Sequence, residues 1–212
     1  MGHPDRPLWS SSARELSLAY AGGLSPIDVM TATLARIEEV NPQLNAIVTL
    51  DEAGAIASAE ASAWRWKAGR SIGPLDGVPV TIKDNILAGG LRATWGSRLY
   101  RDFVPDTDET PVARLREAGA AILGKTNVPE FTVHGFTDNE LFGVTGNPWN
   151  PALTPRIKWW RGGGGSVGHG CPCARDRRRR FDPAAGWPYR PCRIQAVACD
   201  GAARPRLSGD PA

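Results

Sequence analysis

The sequence predicts an α/β fold for residues 1–155, with helices covering a sheet, and an irregular C-terminal tail for residues 156–212. Segments with helical spacing of apolar residues alternate with short β-type runs, and Gly, Pro and Asn mark the boundaries. The composition also changes abruptly after residue 155. Residues 1–155 carry 13 Lys and Arg against 18 Asp and Glu, whereas residues 156–212 carry 12 against 4 and hold all four cysteines. A change of this kind is rare within one domain, so the two parts are expected to be distinct.

Three helices are predicted in the first 70 residues. A capping box, Ser12-Ala13-Arg14-Glu15, begins the first helix, and Gly22-Gly23 ends it. Ser25-Pro26 opens the second helix as its N-cap and first helical residue, and Asn41-Pro42 is expected to end it. The third helix is predicted over the alanine-rich residues 51–68.

Two strands and one more helix follow. Turn residues at 73–77 precede a β-type apolar run at 78–82, and Lys83-Asp84-Asn85 comes directly after it. Residues 110–117 predict a short helix. Residues 120–123 predict a buried strand with Gly124-Lys125-Thr126-Asn127 at its carboxyl end. Helix-then-strand order predicts a sheet covered by helices.

Lys83 is the candidate functional residue, because it ends an apolar strand among small and polar residues. A lysine just past a strand is most often a surface residue without a catalytic role. The alternative is a buried lysine whose pKa is lowered by desolvation, so that its neutral amine can act as a base. Composition and spacing leave both interpretations open.

Three ordered segments resemble the amidase signature hydrolases: DGVPVTIKDN at 76–85, AGAAILGKTN at 118–127, and FG with GNPWNP between 142 and 151. The resemblance covers residues 8–155 and implies the N-terminal portion of that family's fold, a large mixed sheet packed between helices. It also implies hydrolysis of carboxylic amides to acid and ammonia by two serines and a lysine. One serine is the nucleophile, the other, in a cis peptide, relays its proton, and the lysine accepts it. Lys83 matches the lysine of this triad.

Both serines of the family should follow residue 155, first in GGSSGG and then in TDGGGSIR. The chain contains neither segment and continues with RIKWWR at 156–161. Read one base out of frame, however, the codons of residues 156–160 permit GSSGG and those of residues 176–183 permit TDGGGSIR. The family-like continuation extends over 22 ordered positions, from Asp176 to Val197. We interpret residues 156–212 as an out-of-frame tail, arising from a mutation or a sequencing error, and expect the chain as printed to be inactive.

The tail contains three patterns that would otherwise suggest ligands. Cys171, Cys173 and Cys192 with His169 could suggest zinc, Arg177 to Arg180 a nucleic-acid-binding arm, and four glycines before Ser166 a phosphate loop. A GC-rich gene read in another frame produces these residue types, and the cysteine spacing is not that of paired zinc ligands. The glycine run lacks the Lys-Ser or Lys-Thr of a phosphate loop. We therefore expect no metal, no organic cofactor and no nucleic-acid partner.

The expected ligand of the intact family is a small amide. Two alternatives remain: a glutamine-hydrolysing tRNA amidotransferase component of the A type, and a non-catalytic Arg-rich nucleic-acid-binding protein. No apolar run is long enough to span a bilayer and the N-terminus lacks a signal pattern, so we expect no membrane partner and a cytoplasmic location.

Several residues near Lys83 are expected to have supporting roles. Asp84 and Asn85 are expected to hold the loop and the lysine by hydrogen bonds. Lys125 is expected to be structural rather than catalytic. Asn127 could line a substrate pocket or cap the next helix, and the structural role is preferred. The rings of Phe131 and Phe136 are expected to pack in the core.

Overall fold

Four α-helices and three strands occur in the computed structural model, which describes residues 7–151 and 153. The helices are α1 (Ala13–Ala21), α2 (Pro26–Leu44), α3 (Glu52–Lys67) and α4 (Thr110–Glu117). The strands are β1 (Ile47–Leu50), β2 (Pro79–Lys83) and β3 (Ala121–Thr126). The α/β class is confirmed for this part of the chain. The predicted out-of-frame tail at 156–212 lies outside the described residues.

The helix boundaries agree with the capping residues predicted from the sequence, except at the end of α2. The Ser12 hydroxyl accepts the N–H of Glu15, and the Glu15 carboxylate accepts the N–H of Ser12, which is the predicted capping box. The predicted end of α2 at Asn41-Pro42 is wrong, because the helix continues through Pro42 to Leu44. The helix ends instead at Asn45, whose φ of 50° is left-handed, and the Asn41 side-chain oxygen accepts the N–H groups of the chain that leaves the helix.

The strands form one mixed sheet in the order β1-β3-β2, with β2 parallel and β1 antiparallel to the central β3. The strands predicted at 78–82 and 120–123 are present, and β3 continues to Thr126. β1 was not predicted, since it has only four residues and no fully buried position. Within the described residues, no helix is long and apolar enough to cross a membrane.

Alternation along β3 separates the core into two layers. Ile122 packs in a cluster with residues of α1, α4, β2 and the start of α2, whereas Ala121 and Leu123 pack in a cluster with residues of α2 and α3. The first layer contains Leu16, Tyr20, Val80, Ile82 and Val112, and the second contains Met30, Ile37, Ala55 and Ala59. The sheet is therefore covered by helices on both faces, as the alternating sequence pattern predicts.

A bulge between β2 and β3 sets the register at the functional end of the sheet. Val80 pairs with Ile122, but Thr81 pairs with Gly124, so that one residue of β3 has no opposite partner. Gly124 has a φ of +154°, and a Cβ there would lie 2.2 Å from the Thr49 carbonyl oxygen. Only glycine fits this position, and the resulting register pairs Lys83 with Thr126.

Candidate active site

Lys83 is the last residue of β2, at the edge of the sheet where β2 and β3 both end. Because these strands are parallel, Lys83, Asp84 and Asn85 meet Thr126 and Asn127 at this edge, and the Asp84 N–H donates to the Thr126 carbonyl at 3.0 Å. In open α/β sheets, ligands commonly bind in a crevice outside the carboxyl ends of strands. The sequence motif around Lys83 is therefore placed where the fold can present it to a substrate.

The Lys83 amine is partly buried, and this desolvation lowers its pKa. Within the described residues, its ammonium group makes no hydrogen bond and no ion pair. A simple surface lysine would be fully hydrated, and a structural buried lysine would be paired. A desolvated, unpaired amine is the state in which a lysine can lose its proton and act as a base.

Three buried side-chain oxygens close to Lys83 in the sequence also lack partners in the part of the chain that the structure describes. They are Thr81 Oγ1, Asp84 Oδ1 and Asn85 Oδ1. Leaving such an atom unsatisfied costs about 1–3 kcal/mol each. Thr81 and Lys83 lie on the same face of β2, since they are two residues apart. Buried oxygens without a described partner therefore lie on both sides of Lys83 in the sequence.

The loop that follows Lys83 is held by Asp84 and Lys125. Asp84 Oδ2 accepts from the N–H of Thr94 at 3.1 Å and from the Thr94 hydroxyl. The fully buried Lys125 Nζ donates to the carbonyls of Ile86 at 2.7 Å and Arg92 at 3.3 Å. These contacts fit the structural role expected for Lys125. Sequence reasoning missed Thr94, because nothing local in the sequence relates it to Asp84.

The buried charges of Asp84 and Lys125 stabilise each other. Burial raises the pKa of Asp84, although the hydrogen bonds from Thr94 and the charge of Lys125 oppose the shift. Burial lowers the pKa of Lys125, although the charges of Asp84 and Glu109 oppose that shift. Asp84 thus holds the loop, as expected, but the expectation that it also binds the lysine is wrong for Lys83. The bonded oxygen of Asp84 accepts from Thr94 instead.

Asn127 is structural, as preferred, but it does not cap the next helix, whose N-cap residue is Pro129. Its amide nitrogen donates to the carbonyl of Gly143 at 3.2 Å and the hydroxyl of Thr145 at 3.0 Å. Its amide oxygen accepts from Asn139 at 2.7 Å, and Asn139 also donates to the Val128 carbonyl at 2.7 Å. This network joins the end of β3 to the chain at 139–145. Asn139 carried no sequence signal that would have identified it.

A cavity of about 390 Å³ lies beside this network. Its lining is Glu130, Phe131, Val133, His134, Phe136, Asp138, Asn139 and Glu140. Core packing was expected for Phe131 and Phe136, and this is wrong: they are 43% and 42% exposed and line the cavity. The reason is backbone conformation, since Phe131 and Thr132 have φ values of 47° and 59° and the strained loop turns away from the core.

Comparison with known proteins identifies the family of the chain. The amidase family model matches residues 28–174. The chain is 44% identical over 132 residues to the A-type component of the glutamyl-tRNA(Gln) amidotransferase from Geobacter metallireducens, covering 62% of this chain and 27% of that protein. It is 39% identical over 152 residues to an indoleacetamide hydrolase from Bradyrhizobium diazoefficiens, covering 71% and 29%.

The fold agrees with the sequence match. A peptide amidase structure from Stenotrophomonas maltophilia aligns with a TM-score of 0.62 at 32% identity, over 69% of this chain and 31% of that one. The chain belongs to the amidase family, the amidase signature enzymes, as its resemblance to that family implied. It spans less than a third of the length of the curated relatives it matches.

Proposed function

We propose that this chain carries the lysine half of an amide hydrolase site, in which Lys83 is the base. The observation that carries the proposal is the position of Lys83: a desolvated amine, unpaired among the described residues, at the carboxyl edge of the sheet. It also lies within the segment matched by the amidase family model. The substrate class is a small carboxylic amide, and neither a metal nor an organic cofactor is needed.

In the proposed reaction, a serine hydroxyl attacks the amide carbonyl, and its proton passes through a second serine to the neutral Lys83 amine. The resulting ammonium returns a proton to the leaving nitrogen, so that ammonia departs and an acyl ester remains. Water then hydrolyses the ester to release the acid. Lys83 can begin this sequence because desolvation lowers its pKa and so favours the neutral amine.

We also propose that the 212-residue chain itself is inactive, because both serine segments are out of frame after residue 155. The composition break and the 22 permitted positions support this. The amidase family model, however, matches through residue 174, beyond that boundary. This extension makes Ser166, within the Gly-rich part of the match, the in-frame serine to test.

The test compares the 212-residue chain with a version whose frame is restored at codon 156, after resequencing of codons 150–200. Ammonia release is measured over a panel of small aliphatic and aryl amides. We expect no turnover by the 212-residue chain and turnover by the restored protein that is lost in Lys83→Ala. Turnover by the 212-residue chain that is abolished by Lys83→Ala or Ser166→Ala would show that the out-of-frame interpretation is wrong.

A second candidate is the glutamine-hydrolysing component of an amidotransferase, which passes ammonia to a partner. The similarity to the A-type component of glutamyl-tRNA(Gln) amidotransferases supports it. The comparable identity to indoleacetamide hydrolase supports a free-standing amidase equally well. Co-purification of the frame-restored protein with a second protein, and glutaminase activity that depends on that protein, would favour this candidate. Turnover of simple amides without a partner would exclude it.

A further inference from the structure

The cavity at 130–140 combines aromatic rings with carboxylates. The rings of His134 and Phe136 stack with their centres 5.3 Å apart and their planes 20° from parallel, and Phe131 adds a third ring to the lining. Three acidic residues, Glu130, Asp138 and Glu140, also line the cavity. Stacked rings present flat apolar faces, and the carboxylates give the lining an excess of negative charge.

The three carboxylates differ in their surroundings. Glu140 lies 3.6 Å from the Arg98 guanidinium, and both groups are well exposed. Glu130 and Asp138 make no ion pair within the described residues. Arg98 therefore compensates one carboxylate, and two remain to interact with a ligand in the cavity.

We propose that this cavity binds an organic cation with a flat apolar group, such as an arylamidinium or an arylalkylammonium. The planar part lies against the aromatic lining, and the positive charge is placed near Glu130 and Asp138. Cations are attracted both to carboxylates and to the faces of aromatic rings, whereas a neutral ligand of the same shape gains only the apolar contact.

The length of the intervening chain sets an upper limit on the separation between this cavity and the sheet edge that carries Lys83. Thr126 pairs with Lys83, and Glu130 follows only four residues later, so that its Cα is at most about 14 Å from that of Thr126. The Asn127–Asn139 hydrogen bond fixes the cavity wall to the same edge of the sheet. A role for the cavity as a substrate subsite would apply only to amides long enough to reach it from Lys83 with a cationic group, and that role rests on the proposed function.

The test measures binding to the 212-residue chain by ligand-observed NMR, which requires no catalysis. The probes are benzamidine, a cation at neutral pH, and benzamide, its neutral analogue of nearly the same shape. We expect benzamidine to bind about fivefold more tightly at low salt, with a preference that decreases as salt is added. The double variant Glu130→Gln/Asp138→Asn should lose most of this preference, while the aromatic rings and Glu140 remain in the lining.

Glu60→Gln is the matched control, because it removes an exposed carboxylate on α3 and should keep the preference. Circular dichroism verifies that each variant is folded. Equal binding of the two probes by the wild-type chain, no detectable binding of benzamidine, or loss of the preference in Glu60→Gln would each overturn the proposal. Lys83→Ala should leave probe binding unchanged, so the cavity assignment and the hydrolase proposal can fail independently.

Discussion

Replacing Lys83 by methionine should stabilise the fold, whereas the same replacement at Lys125 should destabilise it. Methionine keeps the length and much of the volume of the lysine chain, so both variants mainly remove the ammonium group. The Lys83 ammonium is desolvated and has no partner within the described residues. Its removal relieves an uncompensated burial cost, and we expect about 1 kcal/mol of added stability.

Lys125 gives the opposite result because its ammonium group is bonded. Its loss leaves the carbonyls of Ile86 and Arg92 without a donor and removes the charge that partly compensates buried Asp84. Unsatisfied buried groups cost about 1–3 kcal/mol each, so we expect a loss of about 3 kcal/mol. Opposite signs of the change in unfolding free energy would therefore distinguish a lysine with a chemical role, Lys83, from a lysine with a structural role, Lys125.

The pH dependence of stability provides an independent check on Lys83. Burial lowers its pKa in the folded chain, so between that value and about 10.4 the unfolded chain binds more protons and stability should rise with pH. Lys125 contributes in the same direction, and Lys83→Met should therefore show a weaker rise, not none. Above about pH 10 the raised pKa of Tyr20 reverses the trend, because tyrosine then ionises first in the unfolded chain.

The assay is urea denaturation followed by circular dichroism, from about pH 7 to about pH 9.5. Wild type, Lys83→Met and Lys125→Met are compared at each pH. If Lys83→Met loses as much stability as Lys125→Met, Lys83 is a bonded structural lysine, and the central observation behind the proposed function is wrong.

Two further predictions concern the scaffold of the site. Asp76 is buried and bonded to Arg65 at 3.0 and 2.5 Å, so Asp76→Asn should lose about 3 kcal/mol in urea denaturation. Burial opposes ionisation of Asp76, but Arg65 and other donors hold its pKa below the usual value. The contribution of Asp76 to stability should therefore be lost as the pH falls below about 4, whereas the raised pKa of Asp84 acts in the opposite direction. An acid profile of Asp76→Asn that equals that of the wild type would contradict this assignment. Gly124→Ala should lose about 3 kcal/mol, because its Cβ would meet the Thr49 carbonyl at 2.2 Å. Gly69→Ala also has positive φ but meets no described residue within 4 Å, so it should lose only about 1 kcal/mol, and equal losses would refute the steric argument.

The sequence determined the order of the four helices and of β2 and β3, though not of β1, because caps, turn residues and apolar periodicity act over a few neighbouring residues. Ser12 and Ser25 mark helix starts from their own side chains, and the helix at 110–117 has the bounds that its sequence predicts. Lys83 could be identified because it lies within a contiguous segment that resembles one family. The second helix was predicted too short because Pro42 removes only one backbone donor, whereas Asn41 and Asn45 decide where the helix ends.

Only the tertiary structure decided how Lys83 is surrounded. Whether a lysine at a strand end is hydrated, paired or desolvated depends on β3, whose residues lie about forty positions further along the chain. Thr94 is recognised as the partner of Asp84, and Asn139 as that of Asn127, only when folding brings them within hydrogen-bond distance. The local sequence pattern does not predict these contacts, because each one depends on where a loop that is distant in the sequence packs against the sheet.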